Sequence, residues 1–377
     1  MVIWVIGRNY PLPENGMQGS FEFEQAKMLA RYGNKVYYLA CSLHPVKRIK
    51  GKGIQTWMED NVHVIVLSSF FAPRIYPFYF VNGRNKHWKV LFEEAEGKSG
   101  VPSVIHVHYP AMLMIADSLR KYHNAGVRVV ATEHWSKVLG KKLDTIELKE
   151  FKKYCDVLDR IICVGSPLKN SVKDLIGMDG VVIPNIVNGF FKPSTDTHEG
   201  YRFVAVGRLV KPKQFDKIIE AFCDCFLGKR DVTLTIIGGG EEKENLQKIV
   251  TERQAEKQVS LLGSQTREKT AEIVSNCDNL ICYSRYETFG VPIIEAWACG
   301  LTAIATTAAA VIDSFDQRLG IEVSFDDYEG LKSAITHVYK HKDDYDRLFI
   351  AEYAANNYSE KVIAKRLIEI YDQDSSD

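Results

Sequence analysis

The chain carries no excess charge of either sign: 48 Lys+Arg stand against 48 Asp+Glu in 377 residues. That balance excludes a general nucleic-acid binder, which needs a basic field to offset phosphates. Long apolar runs are also missing. No stretch approaches the ~18 residues of a membrane span. The apolar opening, residues 1–7, has no basic region before it and is too short for a secretory signal. Short repeats and low-complexity tracts are absent. The eight cysteines do not form a disulfide pattern: Cys163, Cys282 and Cys299 sit in apolar surroundings, where a thiol behaves as a small hydrophobe. Cys223 and Cys225, the one close pair, lack the companion Cys or His ligands of a zinc site. Reduced thiols and a cytoplasmic location are expected.

What is present is apolar mass. Hydrophobic residues make up 46% of the chain, and 18 Phe, 18 Tyr and 5 Trp exclude disorder as the main state. At ~150 residues per domain the length suggests two or three domains. Short β-branched runs alternate with helical patterns, the signature of an α/β protein with parallel sheets covered on both faces. In the first half strands are expected at 2–6, 36–40, 62–67, 104–107, 127–131, 161–164 and 181–183. A helix over 21–32 has Ser20 as its expected cap, and another opens at Ser166-Pro167. The polar stretch after Asn185 reads as a linker. A second series follows, with strands at 203–206, 232–237, 259–262, 280–283 and 303–305. Helices are expected at 215–226, 241–255, 267–276 and 293–299, and the pattern is helical over 328–371. The expected division is 1–186, a linker 187–200, a second domain 201–355, and a segment 356–377 holding a helix that returns to the first domain and a polar tail.

Two segments carry candidate chemistry. Residues 284–300 leave an apolar strand, turn at Phe289-Gly290 and enter a helix near Val291-Pro292. Gly290 allows close backbone approach, and a helix N-terminus offers N–H groups to an anion. Glu287 lies in the turn and Glu295 in the helix; Glu295 alone could simply complement the helix dipole. Two carboxylates eight apart around one turn point to a binding site. In the other segment a strand ends in Gly207-Arg208, with Lys213 just before the next helix. Two cations at a strand's carboxyl end can neutralise a diphosphate without a metal, or can be solvated loop charges. The run Gly238-Gly239-Gly240 is followed by Glu241 and Glu242, so it is not a dinucleotide fingerprint.

Other clusters point elsewhere. His106 and His108 share one strand face, but no third ligand is evident, so no metal is expected. The D-x-D triples at 344–346 and 372–374 are expected to be solvated. The aromatic run 70–80, followed by Arg84, Lys86, His87 and Lys89, reads either as a packed loop and helix start or as an interfacial patch for an anionic membrane.

In this order the residues resemble the family-4 retaining glycosyltransferases (glycosyl transferases group 1) of the GT-B fold. The likeness rests on Gly207-Arg208-Leu209 with Lys213, and on Ser284, Glu287, Phe289-Gly290, Pro292, Glu295-Ala296, Ala298 and Gly300. In the first half Gly16, Thr132-Glu133-His134 and Ile183-Pro184-Asn185 fit the same pattern. Met17 stands where the family usually has a second glycine, Gln214 where it commonly has glycine, and Ala308–Ala310 where Gly-Gly-Glu is frequent.

The resemblance implies two Rossmann-like, doubly wound domains facing a cleft, the first on the acceptor side and the second holding a nucleotide-sugar donor. By it, Arg208 and Lys213 hold the diphosphate and Glu295 the ribose. Gly207, Gly238, Phe289, Gly290 and Val291 line the donor site. Glu287 and His134 face the transferred sugar, with Gly16 and Met17 in a first-domain loop and Asn185 at the cleft. The expected reaction is metal-independent, retaining transfer of a hexose, from a UDP-sugar as first guess, to a glycan or polyprenyl-diphosphate-linked acceptor in surface polysaccharide (capsule or lipopolysaccharide) assembly. No cofactor is expected, and peripheral attachment to the inner face of the cytoplasmic membrane is. The alternatives are a GT-B sugar-nucleotide epimerase and a non-catalytic nucleotide-sugar or glycan-binding protein.

Overall fold

The computed structural model describes residues 1–12, 18–44, 53–70 and 77–373. The chain divides into two compact units: Met1–Pro184 together with Ala364–Asp377, and Asn185–Ile363. Residues 187–200, expected to be a linker, fall within the second unit and bury Val187 and Phe191 in it. The boundary back to the first unit lies inside the helix Glu360–Asp372, whereas the helix Arg347–Tyr358 belongs to the second.

The first unit is built on an eight-stranded sheet. Its strands are β1 (Val2–Gly7), β2 (Lys35–His44), β3 (Gly53–Glu59), β4 (Val62–Phe70), β5 (Val104–His108), β6 (Arg128–Glu133), β7 (Arg160–Cys163) and β8 (Val181–Val182), in the order β3-β4-β2-β1-β5-β6-β7-β8. All pairs are parallel except β3 with β4, a hairpin that the sequence reading lacks. β3 is half exposed and is interrupted by Gln55, Thr56 and Glu59, so it shows none of the apolar run that marks a buried strand. The helix Ser20–Arg31 starts one residue earlier than expected. Its cap is Gly19 in a left-handed conformation (φ 98°), not the Ser20 side chain. A Cβ at Gly19 would lie 2.0 Å from the Asn9 carbonyl oxygen, so close backbone approach decides this position. Likewise Gly165 precedes the helix Ser166–Ile176 and no side chain caps it.

The second unit has six parallel strands: β9 (Tyr201–Val206), β10 (Val232–Ile237), β11 (Val259–Leu261), β12 (Asn279–Cys282), β13 (Thr302–Thr306) and β14 (Gly320–Val323), ordered β11-β10-β9-β12-β13-β14. The helix Phe215–Phe226 shows why its sequence is helical. Phe215, Ile218, Ile219, Phe222 and Phe226 recur at three- and four-residue spacing and are all buried against the sheet. Trp297 is fully buried on the helix Val291–Ala298, its indole N–H donating to the Leu319 carbonyl at 3.2 Å. All eight cysteines are free and six are buried.

In both sheets the strand order reverses beside the first strand, between β1 and β5 and between β9 and β12. Loops leaving the carboxyl ends of such a strand pair diverge and leave a crevice for ligands.

Candidate functional site

In the second unit, β9 and β12 are neighbours, with Leu280 opposite Val204. The segments that follow them therefore emerge side by side. The Arg285 N–H donates to the Pro212 carbonyl at 2.8 Å, and the Lys213 ammonium ion-pairs with the Glu287 carboxylate. Both side chains are largely sheltered. Burial disfavours the charge on Lys213, but the attraction of Glu287 more than offsets it and raises its pKa. Arg208, just after β9, is exposed and forms no ion pair among the described residues.

Gln214 explains a departure noted in the sequence. It is a non-glycine residue at φ 51°, a left-handed conformation that costs roughly 1–2 kcal/mol. Its buried side chain offsets this by donating to the Tyr283 (3.0 Å) and Phe325 (2.8 Å) carbonyls and accepting from Arg285 Nε (3.1 Å). Glutamine thus ties the loop after β9 to the loop after β12, where glycine would only permit the turn.

Glycines bring the strand-end loops together. Gly207 N–H donates to Ile237 O at 3.0 Å, and Leu209 N–H to Gly239 O at 2.9 Å. A Cβ at Gly238 (φ 152°) would lie 1.8 Å from the Gly207 oxygen. Gly290 (φ 105°) precedes the helix Val291–Ala298, which has Pro292 in its first turn and its first amides directed out of the helix end. The Phe289 carbonyl accepts from Val311 N–H at 3.0 Å, and the Phe289 ring packs edge-on against Tyr358. Ala309 packs close to Gly290, so the alanine run 308–310 acts as apolar support there. Glu295, 2% exposed, does not serve as a dipole complement at the helix start; it is ion-paired with Arg267. Burial raises the Glu295 pKa, and Arg267 opposes that rise.

In the first unit, His134 follows β6. Its Nε2 lies 3.0 Å from His108 Nδ1, and its ring stacks on Tyr109 with centroids 4.8 Å apart. Burial, reinforced by the nearby Arg8 charge, pushes its pKa down to about 3, so the imidazole is neutral. Glu133 is fully buried and braces the turn: its carboxylate accepts from the backbone N–H groups of His134 (2.9 Å), Trp135 (2.8 Å) and Ala111 (3.2 Å). Burial drives its pKa up to about 7 against those donors. His106 bonds Thr132 (2.7 Å) and the Tyr371 hydroxyl (2.6 Å), so it is a satisfied core residue. Among the described residues no group of three His, Cys, Asp or Glu side chains is placed to share a metal ion.

The comparisons with known proteins bear on this arrangement. Residues 21–188 match the family described as Glycosyltransferase Family 4, and residues 189–356 match Glycosyl transferases group 1. The chain belongs to the family-4, group 1 glycosyltransferases. One relative, the phosphatidylinositol N-acetylglucosaminyltransferase GPI3 subunit of Saccharomyces cerevisiae, is 24% identical over 295 residues. That match covers 72% of this chain and 64% of the yeast protein, less than two thirds of the relative's length. Sucrose-phosphate synthase from Thermosynechococcus elongatus superposes with a TM-score of 0.78 at 19% identity, covering 98% of each chain. Anabaena HepE in complex with UDP gives 0.73 at 14% identity, covering 98% of this chain and 99% of that one. These likenesses show the GT-B fold, with two parallel-sheet α/β domains.

Of the other residues expected from the glycosyltransferase pattern, Gly16 and Met17 lie outside the described residues. Asn185 is half-buried at the start of the second unit. The basic cluster after residue 80 is divided by the fold, which corrects its reading as one surface patch. Arg84 points inward to the Met112 and Leu113 carbonyls at 2.5 and 3.1 Å, and His87 bonds Ser69 at 2.6 Å. Of these four basic residues, Lys86 and Lys89 are the exposed ones on the helix Pro77–Ser99. Most of the aromatic run 70–80 lies outside the described residues.

Two residues were missed. Arg8 pairs with the fully buried Glu22 (2.7 Å) and its guanidinium lies 3.6 Å over the Tyr109 ring. Its signal was in the sequence: β1 ends in Gly7-Arg8 as β9 ends in Gly207-Arg208. Arg267, the partner of Glu295, opens a helix after Thr266 and has no comparable local mark.

Proposed function

We propose that the protein transfers a hexose from a nucleotide sugar, a UDP-sugar in the first instance, to a glycan or lipid-linked oligosaccharide acceptor. The anomeric configuration is retained, no metal ion takes part, and the product serves surface polysaccharide assembly. The observation that carries the reading is the meeting of Lys213 and Glu287 at the carboxyl ends of β9 and β12, beside Arg208 and the N-terminus of Val291–Ala298. UDP accompanies the structurally similar Anabaena protein, and the yeast relative is named for a sugar transfer involving a phospholipid.

When the bond from the anomeric carbon to the diphosphate breaks, its electron pair goes to a phosphate oxygen. Fixed cations stabilise that growing charge most in the transition state. Lys213 suits this task because an ammonium has three N–H donors, so the bond to Glu287 leaves two for phosphate oxygens. Glu287 and the Phe289–Val291 backbone favour the oxocarbenium-like carbon left behind. His134, neutral, offers a hydrogen bond to a sugar hydroxyl and is not a general acid.

Incubation with a donor panel and NMR resolution of the product anomer is expected to show transfer with the donor's configuration; an inverted product overturns the reading. Conversion of the donor without acceptor would indicate an epimerase, and donor binding without turnover a binding protein. Activity is expected to survive EDTA. Loss with EDTA and recovery with manganese would remove the proposed role of the two cations.

No described helix is long and apolar enough to cross a membrane. Peripheral attachment therefore rests on local charge, and the exposed Lys86 and Lys89 contribute about 1 kcal/mol each at an anionic surface. Flotation with anionic liposomes is expected for the wild type and to fall after Lys86→Glu with Lys89→Glu. Equal flotation of both proteins would remove the two lysines from this role.

A further inference from the structure

We propose that Arg267 is a positioning residue for ribose recognition, holding one oxygen of Glu295 so that the other is presented, ionised, to a ribose hydroxyl. The inference rests on the nucleotide-sugar reading above. Three segments of the second unit meet at this guanidinium. Glu295 comes from the helix Val291–Ala298, its side chain 3% exposed, and its Oε1 takes the bond from Arg267 Nη2. Phe191, buried, lies under the guanidinium at 5.0 Å. Phe191 is itself set by a turn in which its N–H donates to Asn188 O at 3.0 Å. Arg267 is the first residue of the helix Arg267–Ser275, whose cap Thr266 accepts from Lys269 N–H at 3.2 Å. The cation is thus fixed along one edge by a carboxylate and on one face by an aromatic ring.

The second oxygen, Glu295 Oε2, has no hydrogen-bond partner among the described residues, and it is not among the buried atoms sealed without one. An ionised carboxylate is a pure acceptor at both oxygens, whereas protonation turns one of them into a donor. A buried carboxyl left to itself favours the protonated, neutral form, and the adjacent guanidinium opposes that preference by pairing with the ionised form. A planar guanidinium also fixes the plane of its partner, which a lysine at the same place does not. Arg267 therefore acts on the ribose through Glu295, without touching it.

The test uses titration calorimetry with UDP, GDP, ADP and CDP, and then the tightest of these against its 2′-deoxy counterpart. A hydrogen bond to a charged group gives the wild type a preference for the ribonucleotide of roughly ten- to a hundredfold. Glu295→Gln and Arg267→Gln are each expected to cut that preference to within about threefold, and the double variant to lose no more than either single one. Arg267→Lys is expected to fall between, and it decides the matter should Arg267→Gln not fold. Full preference retained in the Arg267 variants would overturn the inference. So would equal weakening of both nucleotides with the preference intact, the mark of a merely structural arginine. Wild-type binding without ribose preference overturns the inference alone; no binding of any of the four nucleotides overturns the nucleotide-sugar reading with it.

Discussion

Lys213→Ala is expected to lower turnover by roughly 10²–10³-fold, and Arg208→Ala by a similar factor, because under the proposed function each removes a cation that meets charge developing on the leaving diphosphate. The two variants differ in everything else. Arg208 is exposed and forms no ion pair among the described residues, so its loss leaves thermal stability close to wild type. Lys213 is paired with Glu287, and removing it leaves a sheltered carboxylate without its counter-charge. Lys213→Ala is therefore expected to lower the melting temperature as well, and Lys213→Ala with Glu287→Gln to recover part of that stability without recovering activity. Steady-state kinetics with kcat and KM separated is the deciding measurement. A rise in KM with kcat intact would show that these residues bind the donor but do not stabilise its transition state.

Gly238→Ala is expected to have the largest effect of any single methyl addition at the site. The new Cβ would lie 1.8 Å from the Gly207 carbonyl oxygen, and φ 152° is a conformation that alanine rarely adopts. The obstacle is backbone, so it cannot swing away as a side chain would. The loop bearing Gly207 and Arg208 must shift, at a cost of roughly 3 kcal/mol, since overpacking and backbone strain act together. For a unit of this size that is a drop of about 6–12 °C in melting temperature. Nucleotide affinity should fall with it, because Arg208 leaves its place. Gly189→Ala is the matched control: nothing lies within 4 Å of its would-be Cβ, and its φ is not positive. Differential scanning fluorimetry of the pair, with and without UDP, checks the expectation. Equal melting temperatures for the two variants would show that the loop can yield without cost.

The sequence by itself determined most elements of the second unit. The helix Phe215–Phe226 and the strand Val232–Ile237 have the boundaries read from local pattern, since apolar spacing and flanking glycines are properties of contiguous residues. It also placed Arg208, Lys213 and Glu287 at the ends of elements, where ligand-binding loops lie, and Glu295 in the helix that follows. It did not show the strands that local pattern marks weakly: the half-exposed hairpin strand β3 and the four-residue β14.

Who meets whom was decided only by the tertiary structure. Lys213 and Glu287 are 74 residues apart, Arg267 and Glu295 are 28 apart, and His106 and Tyr371 are 265 apart. Each pairing depends on strand order, and strand order is set by the joint burial of two faces of a sheet, which no local window contains. The same cause split the basic cluster after residue 80. On one helix, Lys86 and Lys89 face water while Arg84 turns in to two carbonyls that only the fold delivers to it. A residue's type and local spacing set what chemistry it can carry; the packing of distant segments sets whether that chemistry is directed at a ligand or used up inside the protein.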